Sequence, residues 1–172
     1  EKAAILNVEK VLGNAIKSLK EPNLVVIFNK QILEAAGYED TEIYDMWRNK
    51  EWNWDKLREI AQNTTDLDNE IYGITTGENN ALMWGLLPSN NAAILSQTED
   101  AESGQTYWGF TGNSDNALEA WDFFIQLGKD QSIYLSSSPL EAAFFRAGNT
   151  AMMSTYVNRA GMLTNERSYP QF

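Results

Sequence analysis

The stretch from Asn23 to Tyr38, Asn-Leu-Val-Val-Ile-Phe-Asn-Lys-Gln-Ile-Leu-Glu-Ala-Ala-Gly-Tyr, constrains the fold more than any other in this chain. Leu24–Phe28 is an uninterrupted apolar run rich in β-branched residues, of the length expected for a strand buried on both faces. Asn29 stands where a helix N-cap belongs, because its side-chain carbonyl can accept from a backbone N–H two or three residues on. Ile32, Leu33, Ala35 and Ala36 give the following helix an apolar stripe. Gly37 stops it in the left-handed conformation that glycine enters without steric cost. A buried strand running straight into a capped helix is half of a βαβ unit, so the pattern predicts an α/β fold.

Composition narrows the function. With 172 residues, 43% of them hydrophobic, the chain can bury one sizeable core, which predicts a single domain. A net charge of −11 argues against nucleic acid or an anionic membrane surface as a partner. The absence of Cys and His removes disulfides, thiol nucleophiles, the usual zinc sites and every His-based triad. No window has the length and apolarity of a membrane span or a signal peptide, and the first residue is not Met. A mature or excised piece of a longer protein is the expectation.

Residues 1–20 place Ala4, Ile5, Val8, Val11, Leu12, Ala15, Ile16 and Leu19 on one helical face. A helix packed on a core is the reading preferred over a membrane-surface peptide. Pro22 ends it, because proline disfavours helix in the residue before it. Its placement is open, so residues 1–22 are set apart from 23–172. Glu39–Glu51 reads as an acidic connecting loop with Trp47 as an anchor. Asn53 then caps a helix whose Leu57, Ile60 and Ala61 face inward, with Asp55 complementing the helix dipole. Asp66-Leu67-Asp68-Asn69-Glu70 alternates carboxylates like the start of a calcium loop, but Ile71 and Gly77 stand where that loop needs Gly and Glu. An acidic surface turn is preferred.

Tyr72-Gly73-Ile74 opens a strand, and Ala81–Leu87 reads as a short helix broken near Gly85 and Pro88. Ser89–Ser103 reads as loop and Tyr107–Phe110 as an aromatic strand. Ser114 caps a helix with Ala117, Leu118, Trp121, Phe124 and Ile125 inward, its stripe closed at Gly128. Ser138-Pro139-Leu140-Glu141 is a capping box with proline at the first helical position. That helix ends at Gly148, and Ala151–Thr155 is a strand. Leu24–Phe28, Ile71–Thr75 and Ala151–Thr155 are expected to share one small sheet.

Four of these elements, in order, carry a family resemblance. Phe28–Gly37 resembles the "YNK-x-hydrophobic-x-x-x-A-G" element of extracellular solute-binding proteins of the sugar-binding kind, the class that includes maltose-binding protein. Trp54–Thr64 is similar to the family's "TWDE" helix, with Asn53 in place of the Thr cap. Tyr72-Gly73 matches its "YG" strand entry. Phe145-Arg146-Ala147-Gly148-Asn149-Thr150-Ala151-Met152-Met153 resembles "A-F-x-x-G-K-A-A-M", with Asn149 and Thr150 where Lys is usual. The resemblance covers about residues 23–165. It implies a helix-rich single lobe, with a small sheet, of a periplasmic-binding-protein-like type II fold, the lobe reached after the first hinge crossing.

What the resemblance implies for function is a non-enzymatic receptor, without cofactor or metal, that closes two lobes on a carbohydrate or related solute. Its partner would be the permease of an ABC importer. It would sit outside the cytoplasm, held to a membrane only through a lipid anchor that this chain lacks. Sugars need aromatic rings for their C–H faces and polar groups for their hydroxyls. Six Trp permit this, although Trp54 and Trp121, at inward helical positions, read as core. The family's cleft-lining segments correspond to Thr75–Asn80 with Trp84 and to Ser154–Arg159. The expected ligand contacts are therefore Thr76, Glu78, Asn79, Trp84, Tyr156, Asn158 and Arg159. Glu78 and Asn79 fit helix capping equally well, Arg159 and Glu78 could pair as ions, and Trp84 could belong to the core. Tyr156 stands without the Gly-x-Trp turn that the family places there. Two other readings stay open: a hydrolase using paired carboxylates, and a cell-surface interaction module. No carboxylate pair in an apolar strand end selects the former.

Overall fold

The computed structural model describes residues 24–39, 41–76, 81–135 and 140–156. The expected helix of residues 1–20, the Ser138-Pro139 cap, and Glu78, Asn79, Asn158 and Arg159 lie outside them. In chain order, β1 (Leu24–Phe28) leads into α1 (Lys30–Ala35), α2 (Glu42–Arg48) and α3 (Trp54–Asn63). A 3-10 turn at Leu67–Asn69 precedes β2 (Tyr72–Thr76) and α4 (Ala81–Ser89). Next come β3 (Leu95–Glu99), β4 (Thr106–Phe110), α5 (Asp115–Lys129), β5 (Ile133–Tyr134), α6 (Leu140–Arg146) and β6 (Thr150–Tyr156).

The three strands expected to share a sheet do so, joined by β5, in the order β1-β6-β2-β5. The pair β2/β6 and the pair β2/β5 are parallel, whereas β1 lies antiparallel on β6 with Val26 opposite Ser154. Successive strand side chains point to opposite faces. Met152 accordingly joins the main core with Ile74, Leu57, Ile60, Leu82 and Leu127, and Met153 joins a smaller cluster with Phe145 and Ile27. Helices α3, α4 and α5 supply the first face and α6 the second. The fold is α/β with a mixed sheet.

Local chemistry explains the boundaries. The Asn29 side chain accepts from the backbone N–H of Gln31 (3.0 Å) and Ile32 (3.4 Å), and Asn53 accepts from Lys56 (2.9 Å). Gly37 and Gly148 take the positive φ values, +92° and +79°, that close α1 and α6. Ser114 caps α5 through the Ala117 N–H. The Asp66 carboxylate accepts from the backbone N–H and the side-chain amide of Asn69, so the acidic stretch is a tight turn.

Several expectations are corrected. β1 is an edge strand, half-buried along its whole length, because only β6 pairs with it and it runs antiparallel. It is therefore not half of a parallel βαβ unit. In α1, Ala35 and Ala36 are exposed, so Leu33 and Ile32 alone carry its packing. The stretch read as a loop between Glu39 and Glu51 contains α2, whose Ile43 is buried, while Trp47 is 69% exposed and anchors nothing among the described residues.

Helix α4 is not broken at Gly85 or Pro88. A β-carbon at Gly85 would meet only Leu24 at an ordinary 3.7 Å, and Pro88 falls in the last turn, where it forfeits one i to i−4 hydrogen bond without interrupting the turns before it. Burial of Ala81, Leu82, Met83, Leu86 and Leu87 holds the helix instead. Within the expected loop Ser89–Ser103, β3 forms by pairing with β4, a partner that its polar sequence does not announce. In α5, Leu118 and Ile125 are each 49% exposed; Ala117, Ala120 and Leu127 form the buried stripe, and the helix runs past Gly128 to Lys129. Trp54 and Trp121 pack against the core as expected. Trp54 packs on Phe123 with the rings tilted and donates to Ser89 Oγ, and Trp121 donates to the Gly112 carbonyl.

Candidate functional site

Strands β2 and β6 run parallel with Thr76 opposite Ser154, so their carboxyl ends meet along one edge of the sheet. In open α/β sheets that edge is where ligands bind. The residues there are hydroxylic and buried: Thr75, Thr76, Ser154 and Thr155 are all at 3% exposure or less. Such positions normally hold apolar side chains, since a buried hydroxyl needs a partner. Thr75 Oγ1 has one, donating to the Tyr134 carbonyl at 3.0 Å. Thr76 Oγ1 is buried and has no hydrogen-bond partner. It is the exception among the described side chains.

Tyr156 closes β6 opposite Leu24, two residues beyond Ser154, and is partly exposed. Trp84 lies on α4, which packs against β1 and β6. It is 50% exposed while Leu82, Met83, Leu86 and Leu87 beside it are buried, so it is not a core residue. The structure thus places Thr76, Tyr156 and Trp84 on the elements that frame the carboxyl edge of β2 and β6.

A groove of about 950 Å³ opens between β1, α2, the start of α3 and α4. Its walls include Phe28, Tyr44, Trp47, Trp52 and Trp54, and Ser154 of β6 reaches its floor. Sequence reasoning missed it. The available signal was the i, i+3 spacing of Tyr44 and Trp47, which marks one helical face within a stretch that otherwise reads as polar loop.

Ionisable groups are used structurally. Arg58 Nε and Nη2 donate to the two carboxylate oxygens of Asp130 at 2.6 and 2.9 Å, tying α3 to the end of α5. These hydrogen bonds, and the charge behind them, hold the Asp130 carboxyl below the ordinary carboxylate range. Asp66 is likewise lowered, chiefly by the Asn69 amide, and Asp100 by the Ser103 N–H and hydroxyl. No cluster of metal-ligating side chains occurs among the described residues. No helix among them is long and apolar enough to cross a membrane.

A family model described as bacterial extracellular solute-binding protein matches residues 1–170. Among solved structures, an ABC substrate-binding protein from Listeria monocytogenes in complex with cycloalternan aligns with 83% of this chain at 21% identity and a TM-score of 0.60. An ABC transporter solute-binding protein from Agrobacterium vitis with bound D-mannitol aligns with 85% at 21% identity and a TM-score of 0.63. A maltose-bound protein from T. maritima aligns with 84% at 19% identity and a TM-score of 0.59. At these identities the likeness is one of fold. The chain spans 34%, 33% and 35% of those three structures. Two curated proteins, uncharacterized transporters of Bacteroides thetaiotaomicron and Bacteroides fragilis, share 36 residues with it at 89% and 75% identity, 6% of their own length.

Proposed function

Because the chain belongs to the bacterial extracellular solute-binding proteins, we propose that it is one lobe of a receptor that closes on a carbohydrate or related solute. The parent protein hands that solute to the permease of an ABC importer, on the outer side of the cytoplasmic membrane. The observation that carries this reading is the unpartnered, buried Thr76 Oγ1 beside Ser154. A polar atom left unsatisfied costs about 1–3 kcal/mol. Such a cost is recovered if ligand binding rearranges this edge so that a ligand hydroxyl reaches Thr76 Oγ1, which is enclosed in the ligand-free lobe.

In this reading Trp84 and Tyr156 stack on sugar faces, while Thr76, Glu78, Asn79, Asn158 and Arg159 meet the hydroxyl rim. The downward shifts of Asp66, Asp100 and Asp130 are those of structural acceptors; a general acid needs its carboxyl raised. None of these three is suited to act as a general acid. One lobe supplies only one wall of the cleft, so the isolated chain binds weakly. The two-lobed parent binds tightly, because contacts from both walls offset the entropy of association.

A thermal-shift screen of the parent against mono- and oligosaccharides tests this. A raised melting temperature without product formation is expected. Release of a shortened sugar would establish the hydrolase instead, and no response to any carbohydrate would remove the sugar reading.

A further inference from the structure

We propose that the groove between β1 and α4 is the docking site for this chain's own N-terminal segment, residues 1–20. Two independent observations meet here. The groove is lined mainly by apolar side chains, with Leu24, Val26 and Phe28 of β1 facing Leu82 and Leu86 of α4, and β1 itself is a half-buried edge strand. Folded domains cover such edges with a helix or a loop. The segment, for its part, has an apolar sequence pattern at helical spacing, including Val8, Leu12, Ile16 and Leu19.

Continuity selects this occupant over others. The segment joins β1 through Glu21, Pro22 and Asn23, and Leu24 is already a wall of the groove. A helix of twenty residues spans about 30 Å, ample to run back along the roughly 17 Å of a five-residue strand. Charge agrees with this placement. The segment has four lysines against two glutamates on a chain of net charge −11, so the body attracts it as a whole, while its lysines fall on the side away from the apolar stripe.

The absence of native cysteine makes the test direct. In the full chain, Val26→Cys places a single thiol on the wall of the groove. Its alkylation should be about ten-fold or more faster when Leu12→Asp and Ile16→Asp are added to the segment, while Lys10→Gln on the opposite face leaves it unchanged. Amide exchange across Leu24–Phe28, in a chain with Val26 intact, should accelerate in parallel with the same Leu12→Asp and Ile16→Asp changes. Equal alkylation in both backgrounds, fast or slow, overturns the proposal. So does protection that disappears on dilution, which would assign the groove to a second copy of the chain.

Discussion

A β-carbon placed on Gly73 would lie 1.9 Å from the carbonyl oxygen of Ala61. The two elements meet backbone to backbone at this point, β2 against α3, and the Gly73 N–H donates to Thr65 Oγ1 just beyond the end of that helix. Glycine is required here for space and not for its dihedral freedom. Gly73→Ala must push α3 off the sheet and expose the packing of Ile60 and Ile74. The expected loss is about 3 kcal/mol or more, read as a shift of the urea midpoint, with β2 amides losing protection first.

Gly128 is the opposite case. It lies inside α5, and a β-carbon there meets nothing within 4 Å. Gly128→Ala therefore reduces the freedom of the unfolded chain without a clash and should stabilise by about 0.5–1 kcal/mol. A destabilised variant in the same urea titration would show that the end of α5 is packed differently.

The Arg58–Asp130 pair gives a pH signature. Asp130 is lowered in the folded chain, so the unfolded state binds its proton more readily. The stabilisation is complete above the unfolded value, about pH 4, and is lost as pH falls through the lower folded value. Asp130→Asn should thus be less stable than the parent chain at neutral pH. That difference should close as pH falls below the usual carboxylate range. High salt should shrink it only partly, because the pair is bidentate and Asp130 is largely covered. A gap that stays constant from neutral to acid pH would show that the pair contributes through packing and not charge.

The sequence exposed the sheet because its strands are apolar runs flanked by caps, and those signals are local. Asn29, Asn53 and Ser114 each cap the helix that follows them. What stayed hidden is set by distant partners. Leu95–Glu99 becomes a strand only because Thr106–Phe110 lies beside it. The antiparallel edge position of Leu24–Phe28 depends on Thr150–Tyr156, more than a hundred residues later. Helix periodicity alone placed Leu118 and Ile125 inward, since it does not say where the covered arc of α5 ends. At the site, strand ends pointed to Thr76, Trp84 and Tyr156, but no local signal marks the Thr76 hydroxyl as the one without a partner. The groove escaped for the same reason as β3: its walls come from four separate elements.

Thr76 separates stability from binding. Thr76→Val keeps the shape of the side chain and removes a buried hydroxyl that has no partner, so the ligand-free lobe should gain about 1 kcal/mol or stay unchanged. In the two-lobed parent the same change removes a group proposed to meet a ligand hydroxyl. Affinity should then fall roughly ten-fold, with the ligand-free protein no less stable. Trp84→Ala and Tyr156→Ala serve as companions: each should weaken binding while urea unfolding stays cooperative, because Trp84 is half exposed and Tyr156 ends its strand. Calorimetric titration of the parent with the sugar that gives the largest thermal shift measures all three. Unaltered affinity in the Thr76→Val protein, or loss of folding stability with retained affinity in the other two, would move the ligand away from this edge of the sheet.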